Sequence, residues 1–169
     1  MGIVLTVIIR KYQEADREAC RSLWRELTER HREIYEDPRI GGEHPEDYFD
    51  KHLTKAGADN VWVAVSDFVV VGMTGLMMEE GEAEIEPLIV SKGHRGKGIG
   101  KQLVETMVSE AKARGMRFLN VAPVARNVET IRFLHKLGFK TLGFVQLFVC
   151  LSDANWKSGP ELFGLQFDY

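Results

Sequence analysis

The chain has 169 residues, 44% hydrophobic and 28% charged, which is typical of one globular domain with its own core. The net charge of −3 excludes the strong basic excess of a nucleic-acid-binding surface, so no nucleic-acid partner is expected. The two cysteines lie far apart, which excludes a disulfide framework or a Cys-rich zinc site and indicates a reducing, cytoplasmic setting.

The first predicted elements are a strand and two helices. The apolar run over residues 3–10 predicts a buried strand, because its positive charges follow the run, whereas a secretory signal carries them before it. The run is also too short to span a bilayer, so no membrane partner is expected. Apolar residues at helical spacing predict helices from Glu14 to about His31 and from Pro45 to Gly57.

The rest of the chain alternates strands with two more helices. The strands are predicted at Val61–Ser66, Phe68–Met78, Ala83–Val90, Phe118–Pro123, Thr141–Leu151 and Leu162–Phe167, and the helices at Gly98–Gly115 and Asn127–Gly138. The resulting order is β-α-α-β-β-β-α-β-α-β-β. No repeat or linker divides it, so we expect a single α/β domain over residues 1–169.

A basic, Gly-rich loop joins the third of these strands to the next helix. Successive N–H groups in such a turn, followed by a helix N-terminus, form a site for a phosphate or pyrophosphate. A P-loop does not fit, because Gln102 stands where the hydroxyl should follow Gly100-Lys101. A dinucleotide fingerprint does not fit either, because the spacing of Gly96, Gly98 and Gly100 is wrong and the loop lies mid-chain.

Two motifs resemble one family. The segment Arg95–Gly100 reads Arg-x-x-Gly-x-Gly and resembles the acetyl-CoA signature of the GCN5-related N-acetyltransferase (GNAT) family. Asn127–Phe139 is similar to that family's Asn-x-x-Ala…Leu-Gly-Phe ending, and the element order is that of its fold. The resemblance covers nearly the whole chain. It implies a mixed central sheet of about seven strands with helices on both faces, acetyl-CoA as co-substrate, no metal, and direct acetyl transfer to an amine.

The resemblance also implies the donor-binding residues. In this family the loop amides hold the CoA pyrophosphate, and the pantetheine pairs with the strand before the loop. The residues implied here are Leu88, Ile89, Val90, Arg95, Gly96, Lys97, Gly98, Ile99, Gly100, Lys101, Asn127 and Phe133.

Two carboxylates are candidates for the base, because an amine with a pKa of ~10 must lose a proton to react. Glu84 and Glu86 point to one face of a regular strand, and family analogy supports either. We favour Glu86, which is nearer the apolar run; the alternative is that both are simply exposed strand carboxylates. Pro87 predicts a break in the strand, and the Leu88 N–H is the candidate donor to the thioester oxygen.

The general acid is where the chain departs from the family. Many relatives have a Tyr where this chain has Leu134, and the adjacent His135 is expected at the surface. The thiolate, of pKa about 8.5, would then take its proton from water, or Tyr12, Tyr35 or Tyr169 would substitute. The departure supports an alternative function, a non-catalytic acyl-CoA-binding sensor.

The acceptor is less defined. Acidic residues flank the loop between the first two helices, at Glu33, Glu36, Asp37, Glu43, Glu46, Asp47 and Asp50. They predict either attraction of a cationic amine, on a small molecule or a protein or peptide, or a solvated helical face. The aromatic residues of the tail predict core packing, a pocket lining or a homodimer contact; they are Trp156, Phe163, Phe167 and Tyr169.

Overall fold

The computed structural model describes residues 6–151 and 156–169, so the first residues of the predicted opening strand lie outside the described part. The elements are β1 (Val7–Lys11), α1 (Arg17–Tyr35), α2 (Asp47–Ala56), β2 (Val61–Ser66), β3 (Val69–Glu79), β4 (Glu82–Val90), α3 (Ile99–Ala113), β5 (Phe118–Val121), α4 (Val128–Lys136), β6 (Ser158–Leu162) and β7 (Leu165–Asp168). The α/β class and the order of elements are confirmed. Contacts divide the chain into two compact units between Ala122 and Pro123.

The first unit is built on a five-stranded sheet in the order β1-β2-β3-β4-β5. Its pairs are antiparallel except β4 with β5, which is parallel. Side chains alternate between the two faces of the sheet. One face packs on α1 and α2, where Phe49 is fully buried, and the other packs on α3 through Ile99 and Leu103. Helices therefore cover both faces, as expected.

A β-bulge interrupts β4 in the middle of its pairing with β3. Leu76 pairs with Ile85 and Thr74 with Leu88, so Glu86 and Pro87 together face Gly75. A Cβ at position 75 would lie 2.6 Å from the carbonyl oxygen of Glu86, so the close approach requires glycine. The break that Pro87 predicts is present, and it lies at the middle of the sheet.

The second unit contains α4 and the hairpin β6–β7. Helix α4 begins after Asn127, whose side chain accepts a hydrogen bond from the Thr130 N–H at 3.2 Å, as its predicted capping role requires. The hairpin is a sheet of its own. The prediction of about seven strands in one sheet is therefore wrong in its strand count: within the described residues, five strands form the main sheet and two form the hairpin.

The last two predicted strands are the ones that differ. Thr141–Leu151 forms no strand, and apolar side chains such as Phe144 and Leu151 are exposed there. Its residues have high strand propensity, but that propensity stabilises only a segment with a partner strand. Leu162–Phe167 is interrupted by a turn at Phe163 and Gly164, which both have positive φ, so the segment spans two short strands.

Candidate active site

The loop before α3 presents open backbone. A 3-10 turn over Lys92–His94 leads into Gly96 and Gly98, whose φ values are +73° and +82°. The carbonyl oxygen of Gly98 accepts the first bond of α3, from the Gln102 N–H at 3.1 Å. A Cβ at either glycine would meet nothing within 4 Å. The loop backbone is therefore accessible to a ligand, and glycine is needed for its conformation.

The start of α3 adds a favourable electrostatic environment for an anion. The first N–H groups of a helix have no partner within the helix, so those of Ile99, Gly100 and Lys101 are available. The Ile99 side chain is buried in the core, so only its N–H can serve a ligand. The Lys97 and Lys101 ammonium groups are exposed, and Lys101 lies 3.7 Å from Glu105. Backbone donors and mobile cations suit a pyrophosphate.

Arg95 helps to shape the loop. Its Nε donates to the carbonyl oxygen of Val90 at 2.9 Å, and its Nη2 lies 3.4 Å from Oε1 of Glu26 on α1. The same Glu26 oxygen accepts a hydrogen bond from the Lys92 N–H. Sequence reasoning missed Glu26, because no local pattern relates it to a loop 66 residues away.

Strand β4 has an open edge beside this loop. Its pairing with β5 ends at Ile85 with Val121, and no other described strand continues that side. The Ser91 N–H donates to Val71 of β3 at 2.9 Å, so strand alternation directs the backbone groups of Leu88 away from β3. The N–H and C=O of Leu88 are thus on the open edge, as a pantetheine partner requires.

The side chains of this segment have other roles. Ile89 is buried in the core under α1 and α2, whereas Leu88 and Val90 pack toward α3. Because these three side chains belong to the core, any contact they make with a donor substrate would come from their backbone.

The two candidate bases lie close together. Glu84 is partly buried on β4, opposite Met77 of β3 and Asn120 of β5. Burial raises the pKa of Glu84, and the nearby negative charges of Glu86 and Glu79 raise that pKa further. Glu86 is exposed and stands at the bulge, at the point where pairing with β5 has just ended. The two carboxylates therefore differ in environment: one is partly desolvated and one is open.

A histidine of α2 also reaches the bulge. His52 is buried, and its ring packs against Trp24 at a tilt of 41°, with centroids 5.3 Å apart. Its Nε2 would lie 3.0 Å from a Cβ at Gly75, which places it against the bulge. Within residues 6–151 and 156–169 this atom has no hydrogen-bond partner. Burial lowers the pKa of His52, and the charge of Glu86 opposes that shift. Sequence reasoning missed His52, because it lies among the apolar positions of α2.

The remaining predicted residues belong to the second unit. Asn127 serves as the cap described above, and Phe133 is partly buried. Leu134 is buried, and His135 is exposed as predicted. Among the substitute acids, the Tyr12 hydroxyl donates to Glu14 at 3.2 Å, and burial raises the Tyr12 pKa to about 12. Such a phenol donates a proton poorly.

Most of the acidic cluster is paired. Asp50 binds Arg17 at 2.6 Å and also contacts Arg21. The other ion pairs are Asp47 with Arg21, Glu46 with Arg25, Asp37 with Arg39, and Glu33 with Arg30. Arginines four residues apart on α1 thus neutralise the acidic start of α2. The charge that favoured a cationic acceptor is correspondingly smaller than the sequence indicates.

No helix in residues 6–151 and 156–169 has the length and hydropathy needed to cross a membrane. Over the same ranges no group of three or more His, Cys, Asp and Glu side chains forms a metal site.

Comparison with known proteins identifies the family of the chain. The model of the acetyltransferase (GNAT) family matches residues 21–139, so the chain belongs to the GNAT family. Human N-acetyltransferase 8 is 30% identical over 114 residues, which is 64% of this chain and 48% of that protein. The chain thus spans about half the length of this curated relative.

Solved structures share the fold. A transcriptional regulator from Bacillus halodurans C-125 is 27% identical, with a TM-score of 0.63 over 85% of this chain and 100% of its own. The PaiA N-acetyltransferase from Thermoplasma acidophilum, solved with coenzyme A, is 21% identical, with a TM-score of 0.66 over 80% of this chain and 91% of its own. The predicted family and fold are confirmed.

Proposed function

We propose that the chain is an acetyl-CoA-dependent N-acetyltransferase that transfers acetyl directly to a primary amine. The acceptor is a small cationic molecule or a protein or peptide amine. The observation that carries the proposal is the continuity of two open features: the loop and helix N-terminus for the pyrophosphate, and the unpaired edge of β4 for the pantetheine. A ligand bound along both brings its thioester toward the bulge.

The residues at the bulge support direct transfer. Acetyl-CoA supplies an activated acyl group when bound. The Leu88 N–H, on the open edge, is suited to donate to the oxygen that becomes negative during attack. The Glu86 carboxylate is suited to take the proton of the amine. Since Leu134 cannot donate a proton, the leaving thiolate is protonated by solvent in this scheme.

The base is tested with two matched variants, Glu86→Gln and Glu84→Gln, in a CoA-release assay with a panel of amines. We expect Glu86→Gln to lose more activity at neutral pH than near pH ~10, where much of the amine is already neutral. Glu84→Gln is expected to lose less. Wild-type pH–rate profiles in both variants would remove a carboxylate base from the mechanism.

The acyl-CoA sensor is the rival function, supported by the buried Leu134 at the position of the usual acid. The same amine panel separates the two functions. Tight binding of acetyl-CoA without turnover of any amine would favour the sensor, whereas CoA release in proportion to acetylated amine would exclude it.

A further inference from the structure

At the bulge of β4, the buried imidazole of His52 lies close to the backbone of Glu86. Three polar atoms surround the position that a Cβ of Gly75 would occupy: the Glu86 carbonyl oxygen at 2.6 Å, His52 Nε2 at 3.0 Å and the Asn60 carbonyl oxygen at 3.3 Å. Any side chain at position 75 would clash with the Glu86 carbonyl oxygen and would also crowd the imidazole. Glycine at this position therefore allows His52 to approach the backbone of the strand that carries the candidate base.

Burying His52 destabilises the fold unless its ring nitrogen has a functional role. Its exposed fraction is 6%, and among the described residues its Nε2 has no hydrogen-bond partner. A buried polar atom without a partner destabilises the fold, so a purely structural role would be served better by an apolar residue. The surroundings keep the ring neutral, because burial lowers the pKa of His52. A neutral imidazole presents a lone pair and accepts a proton.

The groups around the ring come from five elements. From β4 the charged group is Glu86, and from α2 it is Lys55, which opposes protonation of the ring. Helix α1 presents the uncharged Trp24 ring, β3 presents Gly75, and the turn before β2 presents the Asn60 carbonyl. Glu86 is thus the negative neighbour that stabilises the protonated ring.

Resting on the proposed function, we infer that His52 and Glu86 form a proton relay, in which Glu86 takes the proton of the acceptor amine and passes it through one bridging water to Nε2 of His52, which has no protein partner of its own among the described residues. An imidazole ordinarily binds a proton more tightly than a carboxylate does. Burial lowers the pKa of His52 and so narrows this difference, and the negative charge of Glu86 opposes that lowering. The relay therefore returns Glu86 to its basic form.

The amine lone pair forms the C–N bond, the C–S bond breaks with its electron pair on sulfur, and one N–H proton passes through Glu86 and the bridging water to Nε2. The thiolate takes a proton from solvent, and the imidazolium later returns one to solvent. No oxidant or further reactant is needed.

The test compares His52→Gln with the wild type, using kcat and KM over a pH range. Gln keeps a polar nitrogen near the Nε2 position but cannot accept a proton. We expect wild-type activity to fall as the pH drops below the pKa of the ring, which burial holds under the ordinary value of about 6.5, and this acidic limb to disappear in the variant. At neutral pH we expect kcat to fall by about 100-fold, with the KM for acetyl-CoA unchanged.

Thr74→Val is the matched control. Thr74 is also fully buried, and its hydroxyl too lacks a partner within the described chain, but it pairs with Leu88 on the face toward α3. The control should keep the acidic limb. A limb that persists in His52→Gln, or that also disappears in Thr74→Val, would overturn the relay.

A second measurement does not depend on a variant. The ring pKa of His52, followed by NMR in the wild-type protein, should equal the pKa of the acidic limb of kcat. A clear mismatch overturns the relay even if His52→Gln fails to fold. Absence of turnover with every amine would instead overturn the proposed function, whereas turnover with an unchanged profile in His52→Gln overturns the relay alone.

Discussion

The conformation of one glycine should control donor binding. Gly98 has φ +82° and precedes the first residue of α3, so its conformation aims the N–H groups at the start of the helix. An alanine there has room, because a Cβ would meet nothing within 4 Å, but it disfavours the left-handed conformation by roughly 1–2 kcal/mol. Since the residue is exposed, we expect the free loop of Gly98→Ala to relax away from this conformation.

Binding must then restore it, so the energy difference is expressed in affinity. A loss of 1–2 kcal/mol corresponds to a 5- to 30-fold higher Kd, an order-of-magnitude expectation. Isothermal titration calorimetry with acetyl-CoA measures it. Gly98→Glu should abolish binding, because it adds negative charge where the pyrophosphate is expected.

Gly93→Ala is the matched control in the same loop. A Cβ at Gly93 also meets nothing within 4 Å, but its φ lies outside the left-handed region. Its affinity should equal that of the wild type. If Gly98→Ala binds acetyl-CoA as tightly as Gly93→Ala, the loop conformation has no part in binding, and the assignment of the donor site is refuted.

Three further predictions concern stability. Thr74→Val removes a buried hydroxyl without a described partner and should stabilise the fold by about 1 kcal/mol, raising Tm by roughly 2–4 °C in calorimetry; a lower Tm would contradict this. Asn127→Ala removes the side-chain acceptor of the Thr130 N–H and should lower the stability of α4 by about 1 kcal/mol, as measured by hydrogen exchange. Asn127→Asp is the control, because it keeps the cap. The pKa of Glu84 is raised in the folded protein, so the unfolded chain releases this proton at a lower pH, and the free energy of unfolding falls as the pH rises above the ordinary Glu range. Glu84→Gln should flatten this fall in pH-dependent melting curves. An unchanged slope would count against the raised pKa.

Sequence patterns predicted the elements whose bounds depend on neighbouring residues, such as an apolar run, a helix cap or a proline. The bounds of β2 are those expected from its apolar run, and α4 begins at the cap that Asn127 provides. Pro87 correctly indicated the break in β4. The two family motifs that follow this strand identified the fold, because their order along the chain is specific.

Features that depend on distant partners were not predictable. The acidic residues at the start of α2 resembled an attractive surface, because nothing near them in the sequence indicates the arginines of α1, such as Arg21, that pair with them. Thr141–Leu151 has strand composition, but composition does not supply a neighbouring strand. The contact of His52 with the bulge follows from Gly75 and the packing of α2, which are tertiary facts.

The arginine pairs between α1 and α2 have a consequence for ionic strength. Arg25 and Asp47 are more than half exposed, so each pair contributes little to global stability and is weakened by salt. The sheet, held by backbone hydrogen bonds and buried apolar side chains, is far less sensitive. Salt therefore weakens these ion pairs first, whereas the buried side chains of Phe49 and His52 keep α2 packed on the sheet, so the position of His52 should change little with ionic strength.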